Sequence, residues 1–572
     1  MAKLSRLTVI TVSSVALLAL NACAGIPTSG SVNHYADPRA TASSTSESIE
    51  IDGPAGGASP EEIIRGFLNA GVGVRDDYKV AREFLTDDYA QSWAPDDHTV
   101  VYSDQPSITN SSGDSYKVSV PATSEIDDRG IATSFNANET KNLEFELKRV
   151  DGNWRISSAP GEIVLQQNQF DQVYNPFTLY FFDPTYSYAV PDVRWFADRD
   201  TVATSLIRVL LQGPAPYLKD AVVSAVPEGT KLTRNSVPVD GGTADIDISG
   251  DGISNNLSQL TIERINAQMN ETLTSLANIN SVKLLLNGQA VQTGTLSEVN
   301  PIVDPSVPDS VIGTEDGSLV TRSQIDDPAS QSTVYTPQGA NATLPAMGIA
   351  RGIYSYLSED RKNMWLVRNG EDRKNMWLVR NGEAQQILTG NDLSQPSFDY
   401  LHWAWVAHDN STISVVSSTA ENPEPEDLEV PWLNGYSVHS INISRGGSRA
   451  VLTGTDGTYS YVWVSGVIRG KDGKPIGLQE PVRIGTSIIP DYADFTSDQE
   501  IVVANYEEGT AEIVSLSGIS RSLEPLKGLT KLTVGGGDNQ IMAETKDSTL
   551  YRLTSSGWTR VESSMHDFNY SG

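Results

Sequence analysis

Cys23 is the residue whose type and position most clearly indicate a defined chemistry. It is the only cysteine in the 572-residue chain. Lys3 and Arg6 precede an uncharged, mostly apolar run from Leu7 to Leu20, and a small residue stands directly before Cys23. This layout is typical of a secretory signal (residues 1–22) that is cleaved before the cysteine. A single thiol at a cleavage site indicates one covalent task rather than redox chemistry, a disulfide or thiolate metal binding.

The segment Leu20, Asn21, Ala22 and Cys23 resembles the bacterial lipobox. The resemblance implies that the thiol receives a diacylglycerol group, with an N-acyl chain as a further modification, and that Cys23 becomes the first mature residue. Asn21 departs from the small or apolar residue usual at its position. The alternatives are a plain secretory signal or an uncleaved membrane helix, although the apolar run is shorter than the ~20 residues that a span needs. Two or more acyl chains would hold the protein stably at a membrane.

Residues able to do other chemistry do not form recognisable patterns. Neither a Gly-x-Ser-x-Gly elbow nor the partner motifs of a penicillin-binding serine occur. Asp247, Ser249 and Asp251 have the early spacing of a calcium loop, but Ser258 stands where a bidentate Glu is needed. We therefore predict a non-enzymatic protein with no catalytic residue, no metal and no cofactor besides the lipid. The scattered histidines are predicted to have core or surface roles: His34, His98, His402, His408, His439 and His566.

Two segments are candidate contact surfaces. The acidic, proline-containing run 421–429 is typical of a solvated loop, and as an alternative it could steer a basic partner. A set of aromatic residues either lines a glycan or peptide groove or fills the gap between propeller blades; it comprises Tyr400, Trp403, Trp405, Trp432 and Tyr436.

Charge limits the kinds of partner. The 41 basic and 72 acidic residues give a formal net charge of -31. A surface this acidic disfavours binding to nucleic acid and provides no polybasic patch for anionic lipid. Membrane attachment therefore has to come from the covalent anchor. We expect everything after Cys23 to lie on the extracytoplasmic face of the cell membrane.

Residues 23–58 are predicted to be the lipidated cysteine and a flexible tether, because they are rich in Ser, Thr, Ala, Gly and Pro. Ser59, Pro60 and Glu62 then predict a capped helix. The period-two pattern of 143–150, the turn at 151–153 and the returning 154–156 predict a hairpin. Helices followed by such a sheet make residues 59–170 similar to the nuclear transport factor 2-like (NTF2-like) α+β cone.

Residues 175–300 show the order strand, helix, strand, alternating strand, long helix, strand. Asp200 is predicted to cap the first helix, 221–225 to form a strand, and the long helix to run from about 256 to 277. The order, with Leu-Leu-x-Gly-Pro after the first helix and Asn-Gly after the last strand, is similar to the GerMN domain. That resemblance implies a small α/β binding module.

After a proline-rich linker at 301–315, residues 316–572 are predicted to form a β-propeller of about five or six blades. Strand pairs around polar turns begin at Ser397, Ile441, Asp494 and Leu532. A spacing of roughly 40 to 50 residues with four strands per unit indicates this fold. Within it, 359–370 is repeated identically at 371–382, and only one copy need occupy the sheet.

The order lipobox, tether, cone, GerMN module and propeller resembles the actinobacterial lipoprotein LpqB family. The resemblance implies a multidomain α+β and all-β lipoprotein that acts with the MtrA/MtrB two-component system by contacting the extracytoplasmic domain of the sensor histidine kinase. The alternative from another class is a cell-wall glycan or peptide binding protein, or an envelope hydrolase. A scaffold for envelope assembly is the third hypothesis.

Overall fold

A computed structural model describes residues 51–572 except 96–97, 136–138, 254–256, 295, 297–298, 326, 338–340, 350–351, 369–383 and 538–539. The predicted signal peptide, Cys23 with the rest of the lipobox, and nearly all of the tether lie outside the described residues.

The N-terminal domain packs short helices against a curved sheet. Ser59 and Glu62 form the predicted capping box, with the Ser59 hydroxyl accepting from the Glu62 amide, and Pro60 is the first helical residue. The helices are α1 Pro60–Asn69, α2 Lys79–Glu83, α3 Asp87–Ser92 and α4 Gln167–Val173. The strands are β1 Thr99–Tyr102, β2 Ser107–Ser112, β3 Ser115–Ile126, β4 Ala132–Ser134, β5 Thr140–Val150, β6 Asn153–Ser158 and β7 Ile163–Gln166.

These strands form one seven-stranded sheet in the order β6-β5-β3-β1-β7, with β2 and β4 paired to β3. The predicted hairpin is confirmed: β5 and β6 pair antiparallel across Asp151 and Gly152, which both have positive φ. One face of the sheet and the buried side of α1, which includes Ile63, Ile64 and Phe67, share a hydrophobic core. The NTF2-like interpretation stays a prediction.

The middle domain begins with a long two-stranded hairpin, β8 Tyr174–Phe182 and β9 Ala189–Ala197. The remaining elements are α5 Val202–Leu210, β10 Lys231–Leu232, β11 Val239–Asp240, β12 Thr243–Ser249, α6 Gln259–Leu273, β13 Ser281–Leu286 and β14 Gln289–Ala290. Strands β12 and β13 pair in parallel, which requires a crossover, and α6 is that crossover. Ser258 caps α6 by accepting from the Thr261 amide at 3.1 Å.

Three sequence predictions in this domain need correction. Helix α5 is not capped by Asp200; the residue before it is Thr201, whose side chain makes no capping bond. Helix α6 is shorter than predicted and ends at Leu273. Residues 221–225 do not form a strand, because only Val223 pairs, in a single bridge with Phe182. The amide of Ala225 instead donates to the Gln268 side chain at 2.8 Å, so a helix supplies the partner that a strand would have used.

The C-terminal domain is a propeller of six sheets, in agreement with the prediction of about five or six blades. Blade 1 contains β15 Val311–Glu315, β16 Ser318–Arg322 and β17 Ser332–Tyr335, completed by the last strand, β39. Blade 2 contains β18 Ala342–Met347, β19 Ile353–Ser358, β20 Asn363–Arg368 and β21 Ala384–Thr389. Blade 3 contains β22 Ser397–Phe398, β23 Trp403–His408, β24 Thr412–Ser417 and β25 Pro425–Asp427.

Blade 4 contains β26 Ser437–Ile443, β27 Arg449–Thr455, β28 Ser460–Arg469, β29 Pro475–Leu478 and β30 Val482–Ile484. Blade 5 contains β31 Tyr492–Phe495, β32 Glu500–Asn505, β33 Thr510–Ser515 and β34 Ser520–Ser522. Blade 6 contains β35 Leu529–Val534, β36 Ile541–Thr545, β37 Leu550–Thr554 and β38 Gly557–Val561, and the chain closes blade 1 with β39 His566–Tyr570.

The innermost strands of the blades, β39, β18, β22, β26, β31 and β35, contact one another in a closed ring. The four predicted strand pairs are confirmed, and each is the innermost hairpin of a blade, in blades 3 to 6. The linker prediction of 301–315 is too long, because Val311–Glu315 is β15 and pairs with both β16 and β39.

The tandem repeat lies in blade 2. Residues 363–368 of the first copy form β20 and pair with both β19 and β21. The second copy, 371–382, lies outside the described residues. The register places Val367 opposite Ala384, and 369–383, which are 15 residues, connect the two strands.

We predict that deleting 371–382 keeps the fold and raises its thermal midpoint slightly. The deletion joins Gly370 to Glu383, so that Val367 and Ala384 keep their pairing across an Asn369-Gly370 turn, a preferred two-residue hairpin loop. Shortening the connection lowers the entropy cost of closing it by about 1 kcal/mol. Differential scanning calorimetry of the two proteins measures the change. A midpoint lowered by several degrees would mean that the second copy stabilises the blade.

Candidate functional site: the interdomain hairpin and the two faces of the propeller

The β8–β9 hairpin contributes to the cores of more than one domain. At its open end, Trp195 lies in the N-terminal core, with its ring centroid 4.8 Å from that of Phe170. Further along, Leu179 and Phe181 lie in the core of the middle domain. That same hydrophobic cluster continues into blades 4 and 5, where it includes Phe495. The hairpin therefore joins the three domains.

A buried ion pair fixes the middle of the hairpin. The Arg194 guanidinium donates to both carboxylate oxygens of Asp192, each at 2.7 Å, and both side chains are fully buried. Asp192 also accepts from the Ala215 amide, and Arg194 donates to the Arg129 carbonyl. Arg129, from the N-terminal domain, donates in turn to the carbonyl of Gly213 in the middle domain. Bidentate geometry and additional hydrogen bonds compensate the desolvation of the two charges.

Two side chains of the hairpin bind blade 5 directly. The Trp195 indole donates to the Ser517 carbonyl at 3.0 Å, and the Thr178 hydroxyl donates to Gln499 at 2.9 Å. Gln499 lies in the turn between the first and second strands of blade 5, and Ser517 lies in the turn between the third and fourth. These turns are on the same face of the propeller, because successive antiparallel strands reverse direction.

The closed end of the hairpin contacts the same face at blades 3 and 4. Asp183 accepts from the Tyr400 hydroxyl at 3.2 Å, and the ring of Tyr188 lies 4.8 Å from that of Tyr400. Arg469 packs over the Tyr400 ring and donates to the buried carboxylate of Asp399 at 2.7 Å. The hairpin therefore contacts propeller side chains that are held in place by their own hydrogen bonds.

The segment before blade 1 also lies on this face. Asp304, in a left-handed conformation, accepts from the Asp498 amide at 2.9 Å, and its own amide donates to the Asp498 carboxylate. Arg445 of blade 4 pairs with Asp304 and donates to the carbonyls of Thr496 and Gly535, in blades 5 and 6. We call this side of the propeller, with the turns 399–402, 444–448 and 496–499 and residues 535–537, the docked face.

The opposite side, which we call the free face, carries the turns between the second and third strands: 316–317, 359–362, 409–411, 456–459, 506–509 and 546–549. Each of the six turns has at least one exposed carboxylate, and the full set is Asp316, Glu359, Asp360, Asp409, Asp456, Glu507, Glu508 and Asp547. Three basic residues, Arg361, Lys362 and Lys546, lie in the same turns. The negative charge of the chain is therefore concentrated in part around this end of the propeller.

Hydrogen bonds keep several of these carboxylates ionised. The pKa of Asp456 is lowered chiefly because the Tyr461 hydroxyl donates to it, and the pKa of Asp409 is lowered by its bond to His408. The pKa values of Asp360 and Asp547 are lowered by the hydroxyls of Ser358 and Thr545. These four carboxylates therefore keep their negative charge in mildly acidic solution.

The predicted aromatic set does not form one groove. Trp405 is fully buried and donates to Asp399, and Tyr400 belongs to the docked face. Trp403, Trp432 and Tyr436 pack on the cluster between blades 3 and 4. Most of these aromatic residues therefore fill the gap between blades, which is one of the two alternatives that the sequence left open. Sequence reasoning missed the partners of Trp432 and Tyr436, which are Tyr461 and Trp463 of β28.

One histidine has the partners of a catalytic triad. His408 contacts Asp409 through Nδ1 at 2.9 Å and Ser414 through Nε2 at 2.7 Å. However, Ser414 is fully buried, and its hydroxyl donates to the Asp427 carboxylate at 2.5 Å. This hydroxyl is closed to a substrate and has an acceptor already, so the arrangement holds the ends of β23, β24 and β25 together.

Asp247, the first of the residues with the early spacing of a calcium loop, has a structural role. Asp247 accepts from the Gly288 amide at 2.9 Å and thereby fixes the Asn-Gly turn after β13.

Across the described part of the chain, no three or more His, Cys, Asp and Glu side chains group in a way that could hold a metal ion. Within the same residues, no helix has the length and hydrophobicity to span a membrane.

A cleft of about 680 Å³ lies in the N-terminal domain between residues 51–58 and helix α1. Its wall includes Ile63, Phe84 and the carboxamides of Asn69 and Gln172. Glu62 also lines it, but this carboxylate accepts from both the amide and the hydroxyl of Ser59. Asp52 lines the cleft as well, so its wall combines apolar, carboxamide and carboxylate side chains.

Three family models match successive parts of the chain. Residues 53–171 match the model described as "Lipoprotein LpqB, N-terminal domain", and 354–568 match "Lipoprotein LpqB beta-propeller domain". Residues 178–292 match the Germane model, described as "Sporulation and spore germination", which corresponds to the predicted GerMN domain.

Curated relatives extend the similarity. "Lipoprotein LpqB" of Thermobifida fusca is 24% identical over 82% of this chain and 83% of the relative. The protein of the same name from Mycolicibacterium smegmatis is 23% identical over 90% of this chain and 89% of the relative. With the one from Cutibacterium acnes, the identity is 28%, but the match spans only 50% of this chain and 48% of the relative.

Solved structures are similar over part of the chain. The first GerMN domain of the sporulation protein GerM from Bacillus subtilis is 24% identical, with 20% of this chain and 86% of that chain covered and a TM-score of 0.18. A chain of a nidogen/laminin complex is 10% identical, with 46% of this chain and 98% of that chain covered and a TM-score of 0.33. At these scores, neither likeness supports a functional conclusion.

We predict that Asp192→Asn destabilises the protein by about 3 kcal/mol, because it leaves the Arg194 charge buried without its counter-charge. Asp245→Asn is the matched control, since Asp245 and Lys283 form an exposed pair at 3.4 Å that is worth about 1 kcal/mol or less. Urea unfolding followed by fluorescence compares the two variants. Equally small decreases in the free energy of unfolding for the two variants would show that the buried pair does not hold the domains together.

Asp494, on the innermost strand of blade 5, predicts a pH effect. Burial raises its pKa to about 6, although the Tyr492 hydroxyl donates to it at 3.0 Å. The pKa of this carboxyl is higher in the folded protein than in the unfolded chain, so the folded state binds the proton more tightly. The contribution of Asp494 to stability therefore decreases as the pH rises from about 4 through 6. We expect Asp494→Asn to gain thermal stability relative to wild type between pH 4.5 and pH 7.5. A difference in midpoint that stays constant with pH would contradict this.

Proposed function

Because the chain belongs to the lipoprotein LpqB family, we propose that it is a non-enzymatic interaction protein, anchored through Cys23 on the extracytoplasmic side of the cell membrane. We further propose that it modulates the MtrA/MtrB two-component system by binding the extracytoplasmic domain of the sensor histidine kinase. Membrane association follows from the lipoprotein family; the lipid on Cys23, the side of the membrane and the partner belong to the proposal.

The observation that carries the proposal is the difference between the two faces of the propeller. The hairpin and the segment that includes Asp304 occupy the docked face through buried hydrogen bonds and ion pairs. The free face carries exposed carboxylates on all six blades. A broad, charged surface that the described residues leave exposed favours binding a protein of opposite charge, since complementary potentials speed association and select partners.

The constellation most similar to a catalytic triad supports a non-enzymatic role. The Ser414 hydroxyl is buried and donates to Asp427, so it serves the blade rather than a substrate. The anchor fits the same role: residues 23–58 have the composition of a flexible tether, which would let the folded domains reach a neighbouring membrane protein.

A binding experiment with residues 24–572 and the extracytoplasmic domain of the co-occurring sensor kinase tests the proposal. We expect saturable binding by isothermal titration that weakens at higher salt, because the contact is electrostatic. Replacing Glu507 and Glu508 by Gln should weaken binding, whereas Asp245→Asn, outside the propeller, should not. In cells, Cys23→Ser should move the protein from the membrane to the soluble fraction.

Two outcomes would overturn the proposal. No binding at high micromolar concentration by folded protein would exclude a direct kinase contact. Binding to purified wall glycan or muropeptide, with no kinase binding, would favour the alternative class of wall-binding protein or envelope hydrolase.

A further inference from the structure

The free face of blade 4 carries an aromatic ladder. Tyr461 and Trp463 occupy alternate positions at the start of β28, so their side chains lie on one side of the strand, and Tyr459 lies in the turn directly before it. The rings of Tyr461 and Trp463 stack at 5.2 Å. Exposure rises along the ladder, from 4% for Trp463 and 5% for Tyr461 to 46% for Tyr459. The ladder therefore runs from the core between blades to a tyrosine in solvent.

Tyr436 extends the ladder from the connection between blades 3 and 4. Its ring centroid is 5.6 Å from that of Tyr461 and 5.0 Å from that of Trp463, at steep angles of 89° and 76°. Tyr436 is half-buried. Tyr436 and Tyr459 are therefore the aromatic side chains of this group that still present area to solvent at the free-face end.

An arginine of this chain already packs against the aromatic ladder. Arg483 of β30 lies directly opposite Trp463, and its guanidinium lies over the Tyr461 ring at 4.3 Å. Beside it, Asp456 accepts from the Tyr461 hydroxyl at 2.6 Å. A guanidinium on an aromatic face with a carboxylate nearby is a favourable combination of cation–π and ionic interactions.

Carboxylates lie on the free-face turns of the two blades that the segment with Tyr436 connects. Asp456 lies on the blade 4 turn, and Asp409 lies on the blade 3 turn. The Asn410 carbonyl accepts from the Val438 amide, and the Asn410 carboxamide accepts from the Ser437 hydroxyl, so the turn that holds Asp409 contacts the segment directly after Tyr436. Both carboxylates are exposed. Asp409 also contacts Asn391 and His408, and Asp456 accepts from the Tyr459 amide and the Tyr461 hydroxyl, so these bonds hold both carboxylates in place. The solvent side of the ladder thus combines aromatic rings with carboxylates, as the surroundings of Arg483 at Tyr461 do.

We propose that Tyr436 and Tyr459, with Asp409 and Asp456, bind an arginine side chain from an extended segment of a partner protein. The inference deepens the proposed function, on which it rests for the view that the free face is the contact surface. Arginine suits the site better than lysine, because a planar guanidinium stacks on a ring and can hydrogen-bond to two carboxylates at once. A sugar is disfavoured, because Trp463 and Arg483 already pack against the Tyr461 ring.

Two capped hexapeptides, one alternating glycine with arginine and one alternating glycine with lysine, test the inference with residues 24–572 at 150 mM salt. We expect the arginine peptide to bind at least about three-fold more tightly. Tyr459→Ala should weaken arginine-peptide binding about two- to five-fold, which corresponds to a cation–π contact at an exposed site. Tyr459 is exposed, so its replacement leaves the blade folded, and circular dichroism checks this.

Charge alone is controlled by a matched pair of variants. Asp409→Asn with Asp456→Asn should abolish the preference for arginine, whereas Glu507→Gln with Glu508→Gln, which removes the same charge from blade 5, should lower the affinity for both peptides equally. Equal binding of the two peptides by wild type, or no effect of Tyr459→Ala, would overturn the inference. If Tyr459→Ala leaves kinase binding unchanged, the arginine site is wrong and the proposed function stands. If the protein selects the arginine peptide but does not bind the kinase, the site stands and the proposed function is wrong.

Discussion

The buried Asp192–Arg194 pair is the interaction on which the arrangement of the three domains depends. Both charges are removed from water, and each is satisfied by further hydrogen bonds, with Ala215 in the middle domain and Arg129 in the N-terminal domain. Removing either partner leaves an unpaired buried charge, which is far more costly than losing a surface pair. The hairpin that carries the pair also places Trp195 against blade 5 and Asp183 against blade 3.

This constraint gives the propeller two unequal faces. The docked face is stabilised by polar contacts that have definite geometry, such as those of Arg445 with Asp304 and two carbonyls of neighbouring blades. On the free face, the same fold repeats short turns that favour Asp and Asn, so Asp recurs in these turns on every blade except blade 5 for a local reason. With the Glu residues of blades 2 and 5 they form a ring of carboxylates, whose negative charge repels acidic groups and attracts basic ones.

Local patterns explain which predictions were confirmed. The capping box at Ser59, the Asp151-Gly152 turn and the innermost hairpins of blades 3 to 6 depend on residues close in sequence. The prediction for 221–225 was wrong because the Ala225 amide found its partner in Gln268, 43 positions away. The linker prediction ran too far because Val311–Glu315 pairs with β39, from the other end of the chain, as well as with the neighbouring β16. Such partners are set by tertiary structure and leave no local signal.

The sequence alone determined the class of molecule: the lone Cys23 after an apolar run, the charge of -31, and the succession of a mixed domain, an α/β module and a strand-rich propeller. These features follow from composition and short-range periodicity. Only the tertiary structure decided which propeller face is covered, that Tyr400 and Tyr436 belong to different surfaces, and that His408 and Ser414 serve a blade. Each of these depends on contacts between residues distant in the chain, and burial and hydrogen bonding determine the role of a side chain once those contacts have formed.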